Sequence, residues 1–114
     1  MFMTKDEAYL KHILDAISAI EKFSQGLSKE EFFENQEKQF AVLRALEVVG
    51  EATKNLSSEL KNKYSEMNWR KIAGMRDKLI HAYFVVDLLL VWDTITIDLP
   101  RLKALIKKML ADIQ

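Results

Sequence analysis

The stretch Leu88-Leu-Leu-Val-Trp-Asp-Thr-Ile-Thr-Ile-Asp-Leu-Pro-Arg-Leu-Lys-Ala-Leu-Ile-Lys-Lys-Met109 decides the fold. Its centre, Thr94-Ile95-Thr96-Ile97, alternates like a strand. Across the whole stretch, however, Leu88, Trp92, Ile95, Leu99, Leu102, Ile106 and Met109 recur at 4-3-4-3 spacing. A period sustained over that length outweighs a local alternation, so the segment reads as helix. Pro100 either kinks this helix or opens a new one.

The same period extends upstream. Thr4 and Glu7 form a capping box ahead of Ala8, Ile13, Ala16, Ile17, Ile20 and Phe23, which predicts a helix over roughly 5–24 closed by Gly26. Ser28 and Glu31 make a second box, before Phe32 and Phe33. Asn35 caps a helix from Gln36 to about Leu56 with the stripe Val42, Ala45, Leu46, Val49, Ala52 and Leu56. Gly50 inside it costs about 1 kcal/mol against Ala; close approach of another helix backbone is the reading that accounts for it. The polar 57–68 segment reads as loop with a short helical turn. Asn68 then caps a helix expected from Trp69 to about Tyr83. The expectation is one all-α domain over 1–114, an up-and-down bundle of four to five helices.

Composition agrees. Three Gly and one Pro in 114 residues are too few for the turns of a sandwich or barrel. The absence of Cys excludes disulfides, thiolate zinc sites and cysteine nucleophiles. No apolar run approaches the ~20 residues of a membrane span. Lys5, Asp6 and Glu7 interrupt the amino terminus before any apolar stretch, so no signal peptide is read and a cytoplasmic location is expected. The net charge is zero, but residues 61–81 carry 6 basic and 2 acidic groups. Arg70, Lys71 and Lys78 belong to this basic segment and are the candidate RNA contacts; on charge alone, a solvated helix face is the favoured reading.

On a helical wheel of 69–84, Trp69, Ile72, Ala73, Leu79, Ile80 and Tyr83 share one side. Arg76 stands at the centre of that apolar stripe. A guanidinium cannot shed its charge, so it must pair, reach solvent or sit at an interface. Glu47 and Glu51, like charges one turn apart, supply a candidate partner. His81 has Asp77 one turn before it and reads equally as an exposed helix pair. His12 has no such context and is assigned no role. Neither His has a Glu three residues earlier, so no metal site is read. Together Arg76, His81 and Tyr83 suit phosphoryl chemistry: the Arg clamps phosphate oxygens and the His moves a proton. RNA brings its own nucleophile in the 2′-OH, so no metal or other cofactor is required. One such set is small, and a two-fold homodimer would double it.

The segment Trp69-Arg-Lys-Ile-Ala-Gly-Met-Arg-Asp-Lys-Leu-Ile-His-Ala-Tyr-Phe84 resembles the signature of the HEPN superfamily, and more narrowly the HepT-like toxins with their R-x-x-x-x-H-x-Y motif. Arg76, His81 and Tyr83 fill that motif, and Asp77 supplies the polar residue favoured after the Arg. Leu43–Lys54 and Val86–Pro100 resemble the family too; Val85 departs from it, where Gly often follows Tyr-Phe. The resemblance implies a dimerising helical bundle whose two motifs form one metal-independent ribonuclease cleft, with Arg76, His81 and Tyr83 as catalytic residues and Asp77 in support. It also implies a type VII-like toxin–antitoxin pair, in which a minimal nucleotidyltransferase antitoxin neutralises the toxin by AMPylation of Tyr83. The alternative is a non-catalytic helical module for dimerisation or nucleotide binding that partners such a nucleotidyltransferase.

Overall fold

Thr4 opens the first helix by accepting the Glu7 backbone N–H at 3.0 Å on its hydroxyl. In the computed structural model, which describes residues 4–75, 77, 80–82 and 85–113, this helix, α1, runs Lys5–Ser24. Gly26, at φ +76°, then takes the left-handed conformation that L-residues resist, and the chain turns. At Ser28 both halves of the capping box form: its hydroxyl accepts from Glu31 N–H at 3.1 Å and its N–H donates to the Glu31 carboxylate at 3.0 Å. That backbone donor, and next the hydroxyl, hold the Glu31 carboxyl below its usual range. The short helix α2 (Lys29–Glu34) follows. Asn35 caps α3 (Gln36–Lys54), and Ser57, a cap not read from the sequence, starts α4 (Ser58–Lys63).

The three long helices make the frame. Asp6 near the start of α1 accepts from the backbone N–H and hydroxyl of Ser57, just beyond the end of α3, at 2.8 and 2.6 Å, so α1 and α3 run antiparallel. The final helix begins as α6 (Leu88–Asp93), passes through a π-helical turn (Thr94–Asp98) and continues as α7 (Leu99–Ile113). Lys103 on α7 pairs with Glu21 at 2.9 Å. Leu10, Ile13, Ile17 and Ile20 of α1, Val42, Leu46 and Val49 of α3, and Leu102, Ile106 and Met109 of α7 form the sealed centre. Leu10 is wholly buried there, whereas Ala8 and Phe23, expected in the stripe, are only partly covered. The all-α fold class follows from these three amphipathic faces closing on one another.

Pro100 falls in the first turn of α7, directly after the π-helical turn. The Leu99 N–H reaches five residues back, to the Thr94 carbonyl, and the ladder widens just where the Pro would leave the Thr96 carbonyl without its donor.

The helix expected over Trp69–Tyr83 is corrected. Asn68 caps α5 as read, accepting from Lys71 N–H at 3.1 Å, but α5 ends at Ala73 with Gly74 as its C-cap. Ile80–Ala82 (β1) instead pairs antiparallel with Val85–Val86 (β2), Ile80 opposite Val86 and Ala82 opposite Val85. Gly is a weak helix interior and a ready terminator, and the run Tyr83-Phe84-Val85-Val86 is rich in the residue types that favour extended backbone. Arg76 and Tyr83, placed on one wheel face by the sequence reading, lie outside the described residues. Among the described residues, no helix is long and apolar enough to cross a membrane.

Candidate active site

Gly50 positions the site. A Cβ there would lie 3.3 Å from the Ala73 carbonyl oxygen and 3.5 Å from that of Ile72, so α5 rests directly on the α3 backbone. This is the close helix approach that the sequence reading asked of Gly50. Trp69 fixes the other side of α5: its indole N–H is shared between the Tyr64 carbonyl at 3.0 Å and the Lys61 carbonyl at 3.2 Å. Trp69, Ile72 and Met75 are buried. The Tyr64 phenol in turn donates to Asp112 at 2.5 Å, tying this corner to the end of α7. The segment that carries the motif thus leaves a backbone held at three places.

Where α5 meets α3, a depression of about 330 Å³ is lined by Arg44, Glu47, Glu51, Lys54 and Asp77, with Gly50 and Ala73 also on its wall. Asp77 is exposed, and its backbone N–H donates to the Gly74 carbonyl at 3.1 Å. Glu47 and Glu51, read from the sequence as candidate partners for Arg76, line this depression with Asp77, while Arg76 lies outside the described residues. They also pair along their own helix, Glu47 with Arg44 at 3.4 Å and Glu51 with Lys54 at 3.5 Å. Exposed pairs of this kind contribute at most about 1 kcal/mol and exchange readily.

The proposed RNA contacts divide. Arg70 and Lys71 are exposed on α5, and Lys71 lies 4.0 Å from Asp98 across the surface. Arg76, Lys78 and Tyr83 lie outside the described residues, as does the side chain of His81, whose backbone belongs to β1. Sequence reasoning passed over Tyr9 and His12. They stand three residues apart on α1, their rings perpendicular with centroids 6.2 Å apart, and line a second depression with Arg44, Glu47 and Glu51. Their i, i+3 spacing places them on one helix face, the only signal available beforehand.

Comparison with known proteins identifies the family. The HepT-like family, described as "Ribonuclease HepT-like", matches residues 13–109. A protein of Thermococcus cleftensis named "Probable ribonuclease HepT" is 46% identical over 101 residues, covering 89% of this chain and 92% of that protein. "Putative RNase MJ1216" of Methanocaldococcus jannaschii is 41% identical over 108 residues, 95% of this chain and 89% of its own length. A second protein of that organism, "Gamma-glutamylcyclotransferase and putative RNase MJ0434", is 42% identical and matches 97% of this chain with half of its own length. None of the solved structures matches the chain. With the family matched across nearly the whole bundle and two of these relatives covered over 92% and 89% of their length, the chain belongs to the HepT-like family of the HEPN superfamily.

Proposed function

We propose that this chain is a metal-independent endoribonuclease and the toxin of a type VII-like toxin–antitoxin pair. The observation that carries the reading is the intact set Arg76, His81 and Tyr83 in a chain matched to a ribonuclease family over residues 13–109. Arg76 holds the scissile phosphate and meets the charge that builds on its oxygens. His81 moves the proton: the 2′-oxygen attacks phosphorus, the P–O5′ bond breaks, and a 2′,3′-cyclic phosphate and a 5′-hydroxyl result. Asp77 supports the motif, and Arg70, Lys71 and Lys78 engage flanking phosphates. One protomer offers a single Arg and His, so two copies facing one another as a homodimer complete the acid and base pair.

Tyr83 is the control point. A nucleotidyltransferase antitoxin transfers AMP from ATP: the phenolic oxygen bonds the α-phosphorus, the bond to the β-phosphate breaks, and pyrophosphate leaves. The adduct places negative charge in the segment that must hold RNA.

His81→Ala tests the chemistry. Cleavage of RNA in EDTA is expected from the parent chain and lost from the variant, with helical content unchanged. Cleavage that survives the substitution, or that needs added metal, overturns the mechanism. Light scattering at micromolar concentration is expected to report a dimer, and a monomer with full activity would remove the shared cleft. Intact mass after incubation with the partner, ATP and Mg²⁺ is expected to show AMP on the parent and none on Tyr83→Phe.

A further inference from the structure

The two depressions beside α3 share Arg44, Glu47 and Glu51 and so form one trough across that helix. Asp77, next in sequence to Arg76, stands at one end, and the rings of Tyr9 and His12 at the other. We infer that this trough is a recognition subsite for one guanine base of the RNA substrate, with Glu51 as its specificity-determining acceptor. The inference rests on the ribonuclease reading above and adds to it the base selected.

Charge argues for a base rather than a phosphate. Among the described residues, the trough sets three carboxylates, Glu47, Glu51 and Asp77, against Arg44 and Lys54, a poorer field for an anion than for a hydrogen-bond donor. Carboxylates accept from N–H groups. Guanine is the RNA base whose Watson–Crick edge sets an N–H directly beside an amine, matching the two oxygens of one carboxylate. Adenine and cytosine offer an amine next to an acceptor, and uracil a single N–H between two carbonyls. Glu51 is suited to the task because its side chain is 72% exposed and, among the described residues, is paired with Lys54 at 3.5 Å, a contact that a ligand can replace.

The aromatic end supplies the second element. Single-stranded RNA is read by stacking a splayed base on aromatic rings while polar groups address its edge. Exposed His12 stands edge-on to half-buried Tyr9 within the smaller depression, of about 210 Å³, which Arg44 and Glu51 also line. Stacking surface and acceptor therefore occupy one hollow, contiguous with the motif end of the trough.

The test is a randomised single-stranded oligoribonucleotide pool, cut by the parent chain in EDTA and sequenced at the new ends. Guanine is expected at one fixed offset from the cut. Glu51→Gln, a surface change that leaves the fold intact, is expected to reduce that enrichment about 10-fold, the worth of one bidentate pair, while cutting continues. Inosine at the same offset, lacking the 2-amino group, is expected to fall between guanine and uracil. Cutting with no base preference, or with a guanine preference that Glu51→Gln leaves intact, overturns the subsite alone. A parent chain that cuts no RNA overturns the ribonuclease reading and the subsite with it.

Discussion

Gly50 and Gly74 sit in similar sequence settings, each inside a run of helical period, and have opposite fates. Gly50 is buried within α3, and the helix continues through it. Gly74 ends α5 after five residues. A Cβ at either position would meet a carbonyl oxygen at 3.3 Å, but at Gly50 the carbonyl belongs to the packed neighbour and at Gly74 to the same segment's Arg70. The difference lies in what surrounds them. α3 buries Val42, Leu46 and Val49 before its glycine and Ala52 and Thr53 after it, and that burial exceeds the ~1 kcal/mol deficit of Gly in a helix. Beyond Gly74, Met75 and Asp77 are again helical, and by Ile80 the chain belongs to the β1–β2 pair. Tertiary burial decides whether a glycine interrupts, and the interrupted region carries the residues proposed for the chemistry.

If frame and motif segment divide stability and function in this way, substitutions should separate them. The largest effect is on activity. Arg76→Ala is expected to lower RNA cleavage by about 100-fold or more, as for loss of a group that meets transition-state charge. Arg76→Lys should recover only part of it, because a point charge lacks the guanidinium fork. Full rescue by Lys would mean that charge alone matters there.

Next comes the frame. Leu46 is 1% exposed, and Leu46→Ala should cost about 2–5 kcal/mol by urea unfolding. Arg70→Ala, on the exposed face of α5, should stay within about 0.5 kcal/mol. Equal losses at the two positions would erase the distinction between frame and motif segment. Gly50→Val sits between these cases. It drives side-chain atoms into the Ala73 and Ile72 carbonyls and should cost about 1–3 kcal/mol. Because the displaced element is α5, cleavage should fall with it, whereas Leu46→Ala should retain activity in proportion to folded protein.

The same contrast explains how far the sequence could be read. α1, α3 and α7 were legible because each buries one face along its length, so period and burial coincide at Ile13, Leu46 and Leu102. The caps at Thr4, Ser28, Asn35 and Asn68 were legible because they act within one turn. The end of α5 was not, since Ile80 and Tyr83 keep the helical period on paper while the chain around them pairs as strands. The proposed site was half legible. Arg76, His81 and Tyr83 lie close in sequence and form a motif. Tyr9 and His12 approach Glu51 only because α1 packs antiparallel to α3, which no local spacing encodes.

The smallest effect is confined to alkaline pH and concerns the joint between the two regions. Tyr64 accepts the Trp69 indole N–H on its carbonyl and donates its phenol to Asp112. The hydrogen bond to Asp112, then burial, then the charges of Asp112 and Glu66 push the phenol up to about 12. An unfolded tyrosine titrates near 10, so between these values the unfolded chain releases its proton first. The contribution to stability is present in full below about pH 10 and is lost as pH rises through about 12. Urea midpoints followed by Trp69 fluorescence in a Trp92→Phe background should therefore fall between about pH 9 and about pH 11.5. Tyr64→Phe has no phenol to titrate and should flatten that limb while lowering the midpoint at neutral pH. Superimposable alkaline limbs for the two proteins would mean that Asp112 does not hold this phenol in solution, and that α5 is anchored by Trp69 and Gly50 alone.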